Sequence, residues 1–216
     1  MSLVRVQNFS ISLDGFGTGD VQSKEAPFGH AGDRLHEWMF TTRWWNQDMT
    51  GGTGGTGGVD DAFSRQFAVG IGAEIMGANK FGPPGWHEDP EWKGWWGPNP
   101  PFHTPTFILT HHLRPPIEME GGTTYHFIDA KPAEALETVR EAAGGQDIRL
   151  GGGPTMIREF AAAGLVDHMH LVVVPILLGR GERIWEGLEG LESDYEIEAT
   201  PSPTGVTHLT FTRKAV

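Results

Sequence analysis

Apolar and polar positions alternate, or nearly so, at both ends of the chain. Near the start, Val4, Val6, Phe9, Ile11 and Leu13 are separated by polar residues, which predicts a strand from Leu3 to Leu13 ended by a turn at Asp14-Gly15. Near the end, Val206 to Arg213 alternates and pairs with Tyr195 to Ala199 across Pro203-Thr204-Gly205, a hairpin signature. Between them lie strands at Thr106 to Leu109, Thr124 to Ile128 and Asp147 to Leu150, with a buried apolar element from Ala68 to Met76. Val166 to Leu178 reads as a long strand, apolar on both faces in its second half and therefore central.

Helices are expected at Leu35 to Phe40 with Asp33 as N-cap, at Asp60 to Phe67, at Pro132 to Ala143 and at Thr155 to Ala163. The third starts on proline and stops at Gly144-Gly145, and the last stops at Gly164. Strands alternate with helices until the antiparallel end, so the pattern predicts one mixed α/β sheet covered by helices. No repeat and no linker divides it, and residues 1–216 read as one domain. Two loops interrupt the pattern. Residues 50–58 form a Gly/Thr run, expected to be flexible. Residues 83–105 are rich in Pro and Trp, expected to be an ordered loop that covers apolar surface with its indoles.

Composition narrows the chemistry. The 216 residues carry 16 Lys+Arg against 28 Asp+Glu, a net charge of -12, so nucleic acid is not expected as a partner. There is no cysteine, which removes disulfides, thiolate metal sites and a Cys nucleophile. The first residues lack a secretory pattern, and no apolar stretch approaches the roughly 20 residues a membrane span needs. A cytoplasmic location without membrane contact is the expectation. His168 and His170 share a strand face, but no third ligand is suggested by spacing, so no metal is expected.

The strongest local motif is Gly151-Gly152-Gly153-Pro154-Thr155-Met156, where a buried strand passes through glycines into a helix start. Free N–H groups and the helix dipole make such a corner an anion site. A second corner, Gly77-Ala78-Asn79-Lys80, supplies further donors, and Thr110-His111-His112 follows another strand end.

Ser10-Ile11-Ser12-Leu13-Asp14-Gly15, Ile75-Met76-Gly77, Gly151-Gly152-Gly153, Gly164-Leu165-Val166-Asp167 and the run from Leu171 to Gly181 occur in an order that resembles the dihydrofolate reductase-like family. The reductase domain of the bacterial riboflavin-biosynthesis deaminase–reductase typifies this resemblance. It implies a three-layer α/β/α fold with a mixed, mostly parallel central sheet and an antiparallel C-terminal hairpin. It further implies bound NADPH, hydride transfer to a small pterin- or pyrimidine-like heterocycle, a cis peptide within Gly151 to Gly153, and a homodimer.

By position, the resemblance assigns Gly77, Ala78, Asn79 and Lys80 to the cofactor phosphates and Thr110, His111 and His112 to the adenosine 2′-phosphate. It assigns Gly151, Gly152, Gly153, Pro154, Thr155 and Met156 to the pyrophosphate turn, and Ser12 and Leu13, with Asp14, to the nicotinamide edge. The proton source is sought among Asp14, His36 and Glu37. Two positions depart from the family: Ala78 and His111 stand where it frequently has Arg, which removes two permanent guanidinium groups and leaves NADH open beside NADPH. A non-catalytic nucleotide-binding protein on the same fold and a flavin-type cofactor are the alternative readings.

Overall fold

The structure is a computed structural model that describes residues 2–215. Eleven strands are present: β1 Val4–Ser12, β2 Phe16–Thr18, β3 Ile71–Gly77, β4 Pro105–Leu109, β5 Ile117–Glu118, β6 Thr124–Ile128, β7 Asp147–Leu150, β8 His168–Val174, β9 Glu182–Arg183, β10 Tyr195–Pro201 and β11 Thr207–Arg213. Five α-helices accompany them: α1 Glu37–Phe40, α2 Val59–Ser64, α3 Ala78–Phe81, α4 Pro132–Ala142 and α5 Pro154–Ala162. Nine strands build one sheet in the order β10-β11-β8-β1-β7-β3-β4-β6-β5, and β2 pairs β9 in a separate short ribbon. The inner pairings from β8 to β6 are parallel, while β5 and the β10–β11 hairpin run antiparallel. This is the mixed, mostly parallel sheet that the alternation of elements requires.

Local sequence explains most of these elements. In β1 the apolar positions slip phase from Val4 and Val6 to Phe9 and Ile11. The structure resolves the slip as a bulge: the register against β8 shifts between Val6 and Phe9, and Asn8 takes φ 54. Asparagine tolerates that left-handed backbone, and the extra residue returns Ile11 to the core side. The hairpin turns where expected, with Gly205 at φ 93 and its N–H donated to Ser202 O.

Two expected elements differ. β8 stops at Val174 rather than continuing to Leu178, because Pro175 has no N–H to give a neighbouring strand, and Leu177 is 69% exposed. Asp33 caps no helix. Residues Gly29–Leu35 form a 3-10 turn broken at Gly32, and α1 begins only after His36, without a side-chain cap. The Gly/Thr run is tied down where Gly54 O accepts from Gln47 Nε2–H (3.0 Å), and where Thr56 bridges Thr42 and its carbonyl accepts from Arg43 N–H. The Trp/Pro segment does cover apolar surface: Trp86 is buried, and Trp92 and Trp96 pack against the cluster beneath it.

The two sheet faces differ in a way that positions the site. One face carries a continuous core, with Leu136 and Val139 of α4 and Ile157 and Phe160 of α5 packed on Ile75, Ile148, Leu150 and Leu171. The opposite face carries two separate clusters. Leu35 and Trp38 pack with Val172 and Val174, while Phe81, Trp86 and Phe102 pack with Met76, Ile108 and Tyr125. Between them alternation places Ser10 of β1, Arg149 of β7 and Glu74 of β3, all buried and polar. The apolar cover is split by a polar seam.

Candidate active site

The parallel strands β1, β7, β3 and β4 end on one edge of the sheet, the usual position for ligands in open α/β sheets. Two glycine corners meet there. Gly77 N–H donates to Gly152 O (3.0 Å), and Gly151 N–H donates to Ile75 O (2.8 Å). The Gly152–Gly153 peptide is cis. Gly152 needs its glycine twice, since φ is 97 and an added Cβ would stand 3.0 Å from the Phe9 ring. At Gly153 an added Cβ would meet nothing within 4 Å, so this corner opens outward.

Pro154 starts α5, and the first intrahelical bond runs from Ile157 N–H to Gly153 O. The N–H groups of Thr155 and Met156 therefore lie ahead of the ladder, at the positive end of the dipole. A diphosphate needs backbone donors, a positive dipole end and no Cβ in its way. Gly153, Thr155 and Met156 meet that requirement through their backbone.

Other expected cofactor residues are placed less simply. The Met156 side chain is buried in the core, and the Thr155 hydroxyl donates to Glu182 Oε2 (3.1 Å). Ala78 and Asn79 begin α3 at the same edge, with Asn79 exposed. Thr110 is buried, and its hydroxyl oxygen accepts from His112 N–H (3.0 Å). His111 projects outward against Asp129 (2.9 Å), a carboxylate where a 2′-phosphate would want a cation. His112 stacks on His87 with ring centroids 3.5 Å apart. Arg114, the nearby guanidinium, is occupied by Trp92 O and Asp89 O and lies over the Trp86 ring.

Ser12, Leu13 and Asp14 border a hollow of about 790 Å³ that Val173, Trp185 and Leu209 also line. None of the residues of the glycine corners lines that hollow, so the corners and this hollow are distinct features.

The three expected proton sources fare differently. Asp14 accepts from Ser12 Oγ (2.6 Å), Leu178 N–H (3.1 Å) and Gly179 N–H (2.7 Å). Those bonds, the Ser12 hydroxyl foremost, hold its carboxyl down to about 2 despite some burial. It anchors the 178–179 loop as a carboxylate and has no proton to give at neutral pH. His36 lies against Phe28 (4.4 Å) and Phe40 (6.3 Å), and its Nδ1 is buried without a partner. Burial, with help from the charge of Lys80, pushes the imidazole down to about 4, so it stays neutral. Glu37 is exposed in the first turn of α1, with no side-chain partner among the described residues.

Three features escaped the sequence reading. Lys80, expected among the phosphate ligands, turns its ammonium inward onto Gly151 O (2.5 Å), 3.8 Å from Glu74 Oε1. Glu74 itself pairs with Arg149 in the polar seam. Further along the same face a buried chain runs from Asp60 through His208 (2.8 Å) to His170 (2.9 Å) and Asn8 (3.0 Å), with Phe63 stacked on both imidazoles. The signal for the ion pair was present, since Glu74 interrupts the otherwise apolar β3 and Arg149 stands between Ile148 and Leu150 in β7. Nothing in their spacing showed that they face one another.

The RibD C-terminal domain model matches residues 5–209. No curated protein sequence matched this chain. Among solved structures it is similar to a protein of Shewanella sp. PV-4 described as a riboflavin biosynthesis protein, at 20% identity over 100% of both chains with a TM-score of 0.58. It is similar also to a pyrimidine reductase-like protein of Corynebacterium diphtheriae, at 14% identity over 100% of this chain and 93% of that one (TM-score 0.52). A third is dihydrofolate reductase of Enterococcus faecalis in complex with NADP(H), at 13% identity over 99% and 97% of the two chains (TM-score 0.53). Identities this low speak for the fold, which is that of dihydrofolate reductase. The family match runs from β1 into β11 and takes in both glycine corners, and by it this chain belongs to the RibD C-terminal domain family.

Proposed function

We propose that this protein is an NAD(P)H-dependent oxidoreductase that delivers a hydride to a small pterin- or pyrimidine-like heterocycle. The observation that carries the reading is the paired glycine corner, Gly77 bonded to Gly152, with Gly153 opening outward at the start of α5. The family, and the reductase names of two of the similar structures, support it. When bound, the nicotinamide cofactor supplies the hydride, which is chemistry no side chain can provide.

The chain's own part is to bind and orient. The backbone N–H groups of Thr155 and Met156 hold the diphosphate, Gly153 lets it approach, and the heterocycle lies beside them at the sheet edge, where Lys80 meets Gly151. Placing donor and acceptor within roughly 3–3.5 Å of each other supplies much of the rate in reactions of this kind. The carboxylate of Asp129 beside His111, and Ala78 at the other corner, favour NADH over NADPH, because neither position offers a fixed cation for a 2′-phosphate.

The test is titration of the purified protein with NADPH and with NADH, read by fluorescence, followed by oxidation over a panel of pterins and pyrimidines. Saturable binding and substrate-dependent oxidation are expected. Binding without oxidation across the panel would favour a non-catalytic nucleotide-binding protein. Binding of neither nucleotide would remove the proposal and leave a flavin-type cofactor to be tried. A homodimer is part of the proposal and is checked by sedimentation equilibrium. No helix among the described residues is long and apolar enough to cross a membrane.

A further inference from the structure

Two cations converge on one carboxylate in the polar seam. Arg149 donates Nε–H to Glu74 Oε2 (2.8 Å), which already matches the charge of the acid. Lys80 then brings a second positive charge to within 3.8 Å of Glu74 Oε1, with its Nζ bonded to Gly151 O. The other groups facing it add no negative charge: His36 is neutral, and Tyr125, across Glu74, has its phenol pushed further up by burial. The lysine is therefore surplus to the pairing.

Its position is also specific. A Cβ on residue 151 would lie 2.5 Å from Glu74 Oε1 and 2.9 Å from Lys80 Nζ, so a side chain there would displace the ammonium from its place immediately before the glycine corner. The Lys80 side chain keeps 27% of its surface exposed, unlike the sealed Glu74 and Arg149 beside it.

We propose that Lys80 is the proton donor to the substrate, acting from Gly151 O at the junction of the glycine corner and the polar seam. This rests on the reductase reading above. As a hydride from the dihydronicotinamide forms the new C–H bond, the π bond of a substrate C=N or C=O breaks and its electron pair moves to nitrogen or oxygen. The heteroatom takes a proton from the Lys80 ammonium. The substrate is reduced by two electrons, the nicotinamide is oxidised, and the neutral amine regains its proton from water. Burial, opposed by Glu74 and reinforced by Arg149, pushes the ammonium down to about 8, a range suited to proton transfer near neutrality.

The test uses the full chain labelled with 13Cε-lysine, whose five lysines make the NMR signals separable. One signal, lost in Lys80→Met, should titrate near 8, while the others stay near the ordinary value of about 10.4. Nicotinamide binding should be equal in wild type, Lys80→Met and Lys80→Arg, whereas single-turnover oxidation falls on the order of 100-fold or more in both variants. Arginine keeps the charge but does not release a proton, so near wild-type turnover in Lys80→Arg would overturn the proposal, as would a Lys80 signal titrating at the ordinary value. Failure of the wild type to bind either nicotinamide would instead strike the reductase reading, and this assignment would fall with it.

Discussion

Glu74 and Arg149 are register partners on the neighbouring parallel strands β3 and β7, and each is only 2% exposed. Their ion pair is sealed inside the molecule, where an unmatched charge is costly. Replacing Glu74 by Gln leaves the guanidinium buried with a neutral partner and should destabilise the fold by about 3–5 kcal/mol in urea unfolding at pH 7. The double variant Glu74→Gln with Arg149→Met should recover much of that loss. If both changes cost the same separately and simply add, the pair is not coupled.

Acid should weaken the protein before its carboxylates protonate. Burial holds His36 down to about 4 and His170 to about 3, the latter helped by the neighbouring His208 and His168. The unfolded chain binds protons at both sites once the pH falls below about 6.5. The folded chain does not, so stability is lost as pH drops from about 6.5 through about 4 and 3. Asp14 adds a further loss lower down, between about 4 and 2. Urea midpoints measured from pH 7 to 4 should decline, and His36→Phe should flatten part of that slope. A slope unchanged in His36→Phe would show that the imidazole is not held neutral.

The two glycines of the cis peptide separate folding from binding. Gly152→Val forces a side chain onto a φ of 97 and into Phe9, so it should destabilise the protein outright. Gly153 has φ -77 and open space where a side chain would project. Gly153→Val should therefore keep the melting temperature within a few degrees and still reduce nicotinamide affinity by 10-fold or more. Unchanged affinity in a folded Gly153→Val protein would mean that the diphosphate does not sit at this corner.

The buried imidazole chain holds α2 to the sheet. His208 donates Nε2–H to one oxygen of Asp60, and Thr204 Oγ1 donates to the other (2.8 Å). Asp60→Leu removes the acceptor and leaves the His208 donor buried alone, a loss expected at about 1–3 kcal/mol. Asp60→Asn, which retains an oxygen acceptor, should cost less. Equilibrium unfolding of the two variants checks the order.

Much of this molecule is written locally. The strands β4, β6, β7 and β11 and the helices α4 and α5 follow from alternation, 3.6-residue spacing and Pro or Gly at their ends, because those preferences act between residues close along the chain. Even the bulge at Asn8 shows as a slipped phase in β1. Both glycine corners were visible for the same reason: a strand running through glycine into a helix is a local backbone requirement.

What the chain does across long separations was decided only on folding. That Glu74 faces Arg149, 75 residues away, depends on β7 inserting between β1 and β3. That Asp14 is a loop anchor depends on residues 178 and 179 arriving beside it, and the β2–β9 ribbon forms only because those loops meet. Lys80 is the sharpest case. From the sequence it is a lysine after a glycine corner, equally able to point outward at phosphate or inward at the seam. Its direction was set by a buried carboxylate and a carbonyl with no Cβ in front of it, two groups brought together by strand order.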